Sequence, residues 1–223
     1  MSGGHVLVLQ SMLAAEKAKG RLLPALEPLN IKAVVAQTPH LDGRENRKKN
    51  MLPPEKGGRG LGGALRIART AIQDILRTAL QHTFMAAWVR GPAYIPIVGN
   101  LGDVALMPLP ADELKNYFRK HPKLDNMKGG GWQNMAPARI ALKVGSYSPI
   151  DYVPGVNVPV LFVAGSHDSL CPSEIIEKAK NSCHTNTESR ILTFDAGHFE
   201  LYYDKAFEAS TKAMIQHFST HLN

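Results

Sequence analysis

Val158-Pro159-Val160-Leu161-Phe162-Val163-Ala164-Gly165, running on into Ser166-His167-Asp168-Ser169-Leu170-Cys171-Pro172, is the stretch that decides the fold. Its apolar part is continuous rather than alternating and ends in glycine, as expected of a parallel strand buried on both faces. Ser173 to Asn181 then reads as a helix with Ser173 as its cap. Glu188 to Phe194 reads as a second strand, Asp195-Ala196-Gly197-His198-Phe199 as its exit turn, and Ala206 to Leu222 as a terminal amphipathic helix. Strand, helix, strand, helix predicts an α/β fold with a doubly wound, mostly parallel sheet.

Reactive groups in such a sheet collect at the carboxyl ends of the strands. Asp168 stands just past the first strand and His198 just past the second. An Asp in a Gly-Ser-x-Asp turn often bonds local amides, and a Gly-His histidine can be purely structural. Their placement on neighbouring strand ends favours a joint role: a carboxylate that fixes the tautomer of a histidine acting as a base. The chain order, Asp then His, is the order expected behind an upstream serine. His167 and Asp195 read as turn residues, Asp195 without a strand-end counterpart. The remaining histidines (His5, His40, His82, His121, His184, His217, His221) show no metal-ligand spacing, and no Cys-x-x-Cys occurs, so neither metal nor cofactor is expected.

Working outward, Gly3-Gly4-His5-Val6-Leu7-Val8-Leu9 opens a buried helix whose glycines permit close backbone approach. It lacks the basic start of a signal peptide. Gly20 to Asn30 is a proline-bearing connector, and Ile31 to Gln37 a β-branched strand closed by Pro39 and Asp42-Gly43. Leu61 to Trp88 carries a helical pattern, with Phe84, Met85 and Trp88 either packed into a core or forming a lid. Asp112 is expected to cap a short helix through Phe118, and a helix is expected over Asn134 to Val144 with Pro137 in its first turn. The predicted organisation is 1–43 as a core helix and strand, 44–145 as a basic loop and helical lid, and 146–223 as the core segment carrying Asp168 and His198.

The 223 residues are 44% hydrophobic and 20% charged, which excludes global disorder. No apolar run approaches the roughly 18–20 residues of a membrane-spanning helix. Cys171 and Cys183 cannot build a disulfide framework and suit a reducing, cytoplasmic setting. Of the net charge of +7, six units arise between Arg44 and Arg69, where eight basic residues face Glu45 and Glu55. That stretch has no aromatic residue, so a nucleic-acid surface is not expected. A solvated basic loop is the simpler reading, with docking of an anionic ligand or carrier as the alternative.

The two turn motifs, Gly165 to Pro172 and Ala196-Gly197-His198-Phe199-Glu200-Leu201-Tyr202, resemble the acid and histidine turns of the α/β-hydrolase superfamily. Trp132-Gln133-Asn134-Met135-Ala136-Pro137-Ala138-Arg139, Tyr147-Ser148-Pro149, the opening Ser2 to Leu9 and Ala33 to Pro39 resemble one branch of it. That branch holds fungal polyketide transferases and thiohydrolases with bacterial dipeptidyl-peptidase-like relatives. The resemblance implies serine-type acyl transfer on a small-molecule ester or thioester, free or carrier-bound, with Asp168 and His198 catalytic. It also exposes a departure, because no Gly-x-Ser-x-Gly occurs in the chain. By the resemblance the nucleophilic serine falls immediately before Met1, with Ser2 as the rival. The fold is therefore expected to be incomplete at its amino terminus, leaving Ile31 to Gln37 with an open sheet edge and the chain by itself inactive. A catalytically inactive binding protein that uses the basic stretch is the alternative function.

Overall fold

The computed structural model describes residues 3–20, 30–45, 94–101, 103–122 and 132–222. In chain order its elements are α1 (Gly3–Ala18), β1 (Val34–Gln37), β2 (Tyr94–Ile95), β3 (Val98–Asn100), β4 (Met107–Leu109), α2 (Ala111–Lys120), β5 (Ala136–Pro137), α3 (Ala141–Val144), β6 (Val160–Gly165), α4 (Ser173–Asn181), β7 (Arg190–Phe194) and α5 (Asp204–His221). The chain divides into two compact units, one of Met1–Asp42 with Ser148–Asn223, the other of Gly43–Tyr147.

The first unit is built on a three-stranded parallel sheet in the order β1-β6-β7. Every residue of the central strand β6 is buried, which is what its unbroken apolar run requires. The pleat sends its side chains alternately to two cores. Val160, Phe162 and Ala164 pack with Leu7 of α1, Val34 and Ala36 of β1, and Ile175, Ile176 and Ala179 of α4. Leu161 and Val163 pack on the opposite face with Ala196, Leu201 and, from α5, Ala206, Ala213 and Met214. Helices thus cover both faces of a mostly parallel sheet, an α/β-hydrolase type of layering. Gly4 lets α1 lie close: a Cβ there would meet the His40 carbonyl oxygen at 2.8 Å and Pro149 Cγ at 3.1 Å.

Both outer strands start later than the sequence suggested. β1 begins at Val34 rather than Ile31, where its N–H reaches the Pro159 carbonyl at 2.9 Å. Pro159 accepts but has no N–H to give, so the ladder cannot extend before it. β7 begins at Arg190 because Ser189 is held in a local turn, its hydroxyl 3.0 Å from that of Thr187 and 3.1 Å from the Val160 N–H. Ser173 is the first helical residue of α4, not its cap; Pro172 occupies the cap position, and no side chain caps the helix.

In the second unit, β2 pairs antiparallel with β5, and β3 pairs parallel with β4. The helix expected over Asn134 to Val144 is replaced by β5, a 3₁₀ turn at Ala138–Ile140 and the short α3. Asn134 explains the change. Its Oδ1 accepts the N–H groups of Ile97 and Val98 at 2.9 Å each, and its Nδ2 donates to the Val98 carbonyl at 2.8 Å. The side chain thereby holds the segment extended, in place of a helical turn. α2 runs from Ala111 to Lys120, with Pro110 at the cap and Asp112 inside the first turn. The Leu61 to Trp88 pattern, Gly129-Gly130-Gly131 and most of the basic stretch lie outside the described residues. Among the described residues, no helix is long and apolar enough to cross a membrane.

Candidate active site

β6 and β7 end side by side, with Gly165 in register with Phe194. Their exit turns are then stitched together by backbone hydrogen bonds, Ser166 N–H to the Phe194 carbonyl at 2.9 Å and His167 N–H to the Ala196 carbonyl at 3.1 Å. Only glycine fits at the end of β6, since a Cβ on Gly165 would overlap the Ala196 carbonyl oxygen. This close approach carries the two predicted residues into contact. His198 Nδ1 lies 2.8 Å from Asp168 Oδ2 across 30 residues of sequence.

Asp168 is fixed from both ends. Its Oδ1 accepts the N–H groups of Leu170 and Cys171, each at 2.8 Å, so the carboxylate closes its own turn while Oδ2 faces the histidine. The aspartate thus bonds local amides with one oxygen and meets the histidine with the other. Its side chain is fully buried, and that of His198 is 12% exposed. An ionised carboxylate only accepts, so Nδ1 of His198 is the donor in this pair. The histidine turn has its own brace, with Gly197 N–H donating to Glu200 Oε2 at 2.7 Å. The Phe199 ring stands edge-on to the imidazole, centroids 5.1 Å apart.

Three features at this edge escaped the sequence reading. His167 and Asp195 are not independent turn residues, because His167 Nε2 lies 2.8 Å from Asp195 Oδ1. The two turns thus exchange an Asp–His contact in each direction. Thr38, one residue past β1, holds φ at +37° while its N–H reaches the Val163 carbonyl at 2.8 Å. A β-branched residue in that region is strained, and no sequence signal announces it. Finally, Asp168, Cys171 and His198 each offer one ligand-type atom within 4.8 Å of the other two. The expectation of no metal rested on sequence spacing, which cannot register a grouping assembled from two turns. Burial, and secondarily the Asp168 charge, push the Cys171 thiol well above its ordinary pKa.

Met1 and Ser2 lie outside the described residues.

A parallel sheet covered on both faces, with an acid and a histidine paired at its carboxyl edge, is the α/β-hydrolase fold, and comparison with solved structures agrees. The α/β hydrolase GrgF from Penicillium sp. sh18 superposes with a TM-score of 0.56 at 18% identity, covering 96% of this chain and 60% of that one. DcsB, solved in complex with its substrate analogue, gives 0.59 at 15% identity over 88% and 60% of the two chains. The monoacylglycerol lipase of Paleococcus ferrophilus gives 0.52 at 14% identity over 98% and 65%. Among curated proteins, the quorum-quenching protein AidA of Acinetobacter baumannii (strain MDR-ZJ06) is 30% identical over 124 residues, 56% of this chain and 38% of that protein. The chain therefore spans less than two thirds of the length of each of these proteins. No family model matches it.

Proposed function

We propose that Asp168 and His198 are the acid and base of a serine-type acyl-transfer site acting on an ester or thioester. The observation that carries this reading is the 2.8 Å contact between His198 Nδ1 and Asp168 Oδ2 at the carboxyl edge of the sheet. The buried carboxylate holds the proton on Nδ1, so Nε2 is the nitrogen that takes the nucleophile's proton. The serine oxygen then bonds the acyl carbon, and the carbonyl π electrons move to its oxygen. Collapse of that intermediate breaks the bond to the leaving alkoxide or thiolate, which leaves with the proton held on Nε2. Water, or another acceptor, repeats the sequence to release the acyl group.

Within the chain, Ser2 is the candidate for the attacking hydroxyl. One protein that shares the fold is a monoacylglycerol lipase, which is compatible with ester chemistry. A transfer role on polyketide or carrier-bound acyl groups is a finer form of the same reading.

The test is turnover of activated acyl esters and thioesters by the chain, alone and extended by whatever its encoding DNA supplies upstream. Turnover that His198→Ala abolishes supports the reading, and fluorophosphonate labelling of Ser2 would make Ser2 the nucleophile. Turnover that His198→Ala leaves intact overturns it. So does turnover by a form of the protein in which fluorophosphonate labels no serine.

A further inference from the structure

Cys171 has no part in that acid–base chemistry, yet its sulfur lies within 4.8 Å of ligand-type atoms of both Asp168 and His198. Among the described residues this is the one grouping of three such side chains. All three are packed: Asp168 and Cys171 are each 6% exposed, and the His198 side chain 12%. An imidazole nitrogen, a carboxylate oxygen and a sulfur form a borderline-soft donor set, which suits Zn²⁺ and not Mg²⁺ or Ca²⁺.

We propose that Asp168, Cys171 and His198 form an inhibitory site for Zn²⁺, which enters by replacing the Asp168–His198 hydrogen bond. The inhibitory consequence rests on the acyl-transfer reading, whereas the binding does not. The ion bonds to Nδ1, Oδ2 and Sγ. The thiol gives its proton to solvent, and the proton on Nδ1 is lost as Nε2 gains one, so one proton is released overall. Two ligands about 2.0–2.1 Å from a tetrahedral ion stand about 3.3 Å apart. The present separation is 2.8 Å, so His198 and Asp168 part by only about half an ångström. Water completes the fourth position. Burial of the thiol makes the ion compete with a firmly held proton, which weakens binding relative to a site of preformed thiolates. With Nδ1 metallated, Nε2 becomes a donor. The nitrogen that would accept the nucleophile's proton is then already protonated, and acyl transfer stops with both residues still in place.

Co²⁺ titration of the metal-free 223-residue chain tests this without any substrate, so failure to turn over esters leaves the outcome intact. The expected result is a thiolate-to-cobalt charge-transfer band that saturates at one ion per chain and that Zn²⁺ bleaches. The band persists in Cys183→Ser and is absent in Cys171→Ser, whose Zn²⁺ affinity falls at least as far as the roughly 10–100-fold loss seen when an outer-shell partner is removed. Circular dichroism confirms that Cys171→Ser is folded. Should it not fold, a tenfold or greater loss of affinity in folded His198→Gln supports the site, and unchanged affinity overturns it. Cobalt bound without a thiolate band, or a band that survives Cys171→Ser, likewise overturns the proposal.

Discussion

Gly165 and Ala196 meet backbone to backbone. A Cβ added to Gly165 would overlap the Ala196 carbonyl oxygen and would lie 3.1 Å from that of Gly197. The contact is what brings the Asp168 and His198 turns within hydrogen-bonding range, because the peptide groups it presses together belong to the turns themselves. Gly165→Ala is therefore expected to push them apart, at a cost of about 1–3 kcal/mol, as for other insertions into a packed site. Urea unfolding measures the cost. The His198 ring resonances in NMR should shift as the 2.8 Å contact to Asp168 lengthens. A variant with both stability and resonances unchanged would show that the turns are not tied here.

Asp168 performs two jobs with two oxygens, and substitutions can separate them. In Asp168→Asn the amide oxygen can still accept from Leu170 and Cys171, as Oδ1 does at 2.8 Å. The amide NH₂ then faces Nδ1 of His198 and moves the ring proton to Nε2. The expected outcome is a fold within about 1 kcal/mol of the parent, a reversed His198 tautomer by ¹⁵N NMR, and a loss of roughly 10⁴ in kcat in any form of the protein that turns over substrate. Asp168→Ala instead removes the acceptor of the buried Cys171 amide, at about 1–3 kcal/mol by chemical denaturation, and that of the part-buried Leu170 amide at less. Equal destabilisation by both variants would contradict this division.

Asp168 and His198 could be read from sequence because each follows an apolar strand at a short distance, and strands of a parallel sheet end on one side. The helix-covered sheet followed from the same runs. The contacts made after the strands end were not legible, since strand alternation stops applying at Gly165. The pairing of His167 with Asp195, and the approach of Cys171 to His198, arise where two turns touch, and neither turn's sequence specifies the other. Strand starts were missed for a related reason. Pro159 limits β1, a different strand from its own, and Ser189 limits β7 through its hydroxyl. Asn134 overrode a helical pattern with three hydrogen bonds to residues 97 and 98, a tertiary effect on a local preference.

The second Asp–His contact is expected to contribute little. The side chains of His167 and Asp195 are 72% and 91% exposed, so water and salt screen the pair despite its 2.8 Å separation. A double-mutant cycle with His167→Ala and Asp195→Ala should give a coupling below about 1 kcal/mol, shrinking further at high salt. A larger, salt-insensitive coupling would mean that this pair, and not Gly165 alone, clamps the two turns.

His217 on α5 makes a stronger claim on stability. It is 1% exposed, and neither ring nitrogen has a partner in good hydrogen-bonding geometry. Burial lowers its pKa, and the nearby charges of His221 and Arg190 lower it further, while backbone groups of Pro159 and Val34 offset part of the shift. His221, whose ring centroid is 4.7 Å away, itself faces Glu188 at 4.0 Å. The folded chain thus keeps His217 neutral at a pH where the unfolded chain, with a histidine pKa of about 6.5, takes up a proton. More protons on the unfolded side mean that stability is full above that value and falls as the pH drops through it, until the lower folded pKa is reached. One group can contribute a slope of at most about 1.4 kcal/mol per pH unit. Urea midpoints compared between pH 7.5 and pH 5.5 should show this loss in the parent and a smaller one in His217→Leu, which fills the site without a titrating group. Equal losses in the two proteins would assign the acid sensitivity elsewhere, with His221 and Glu188 the next groups to replace.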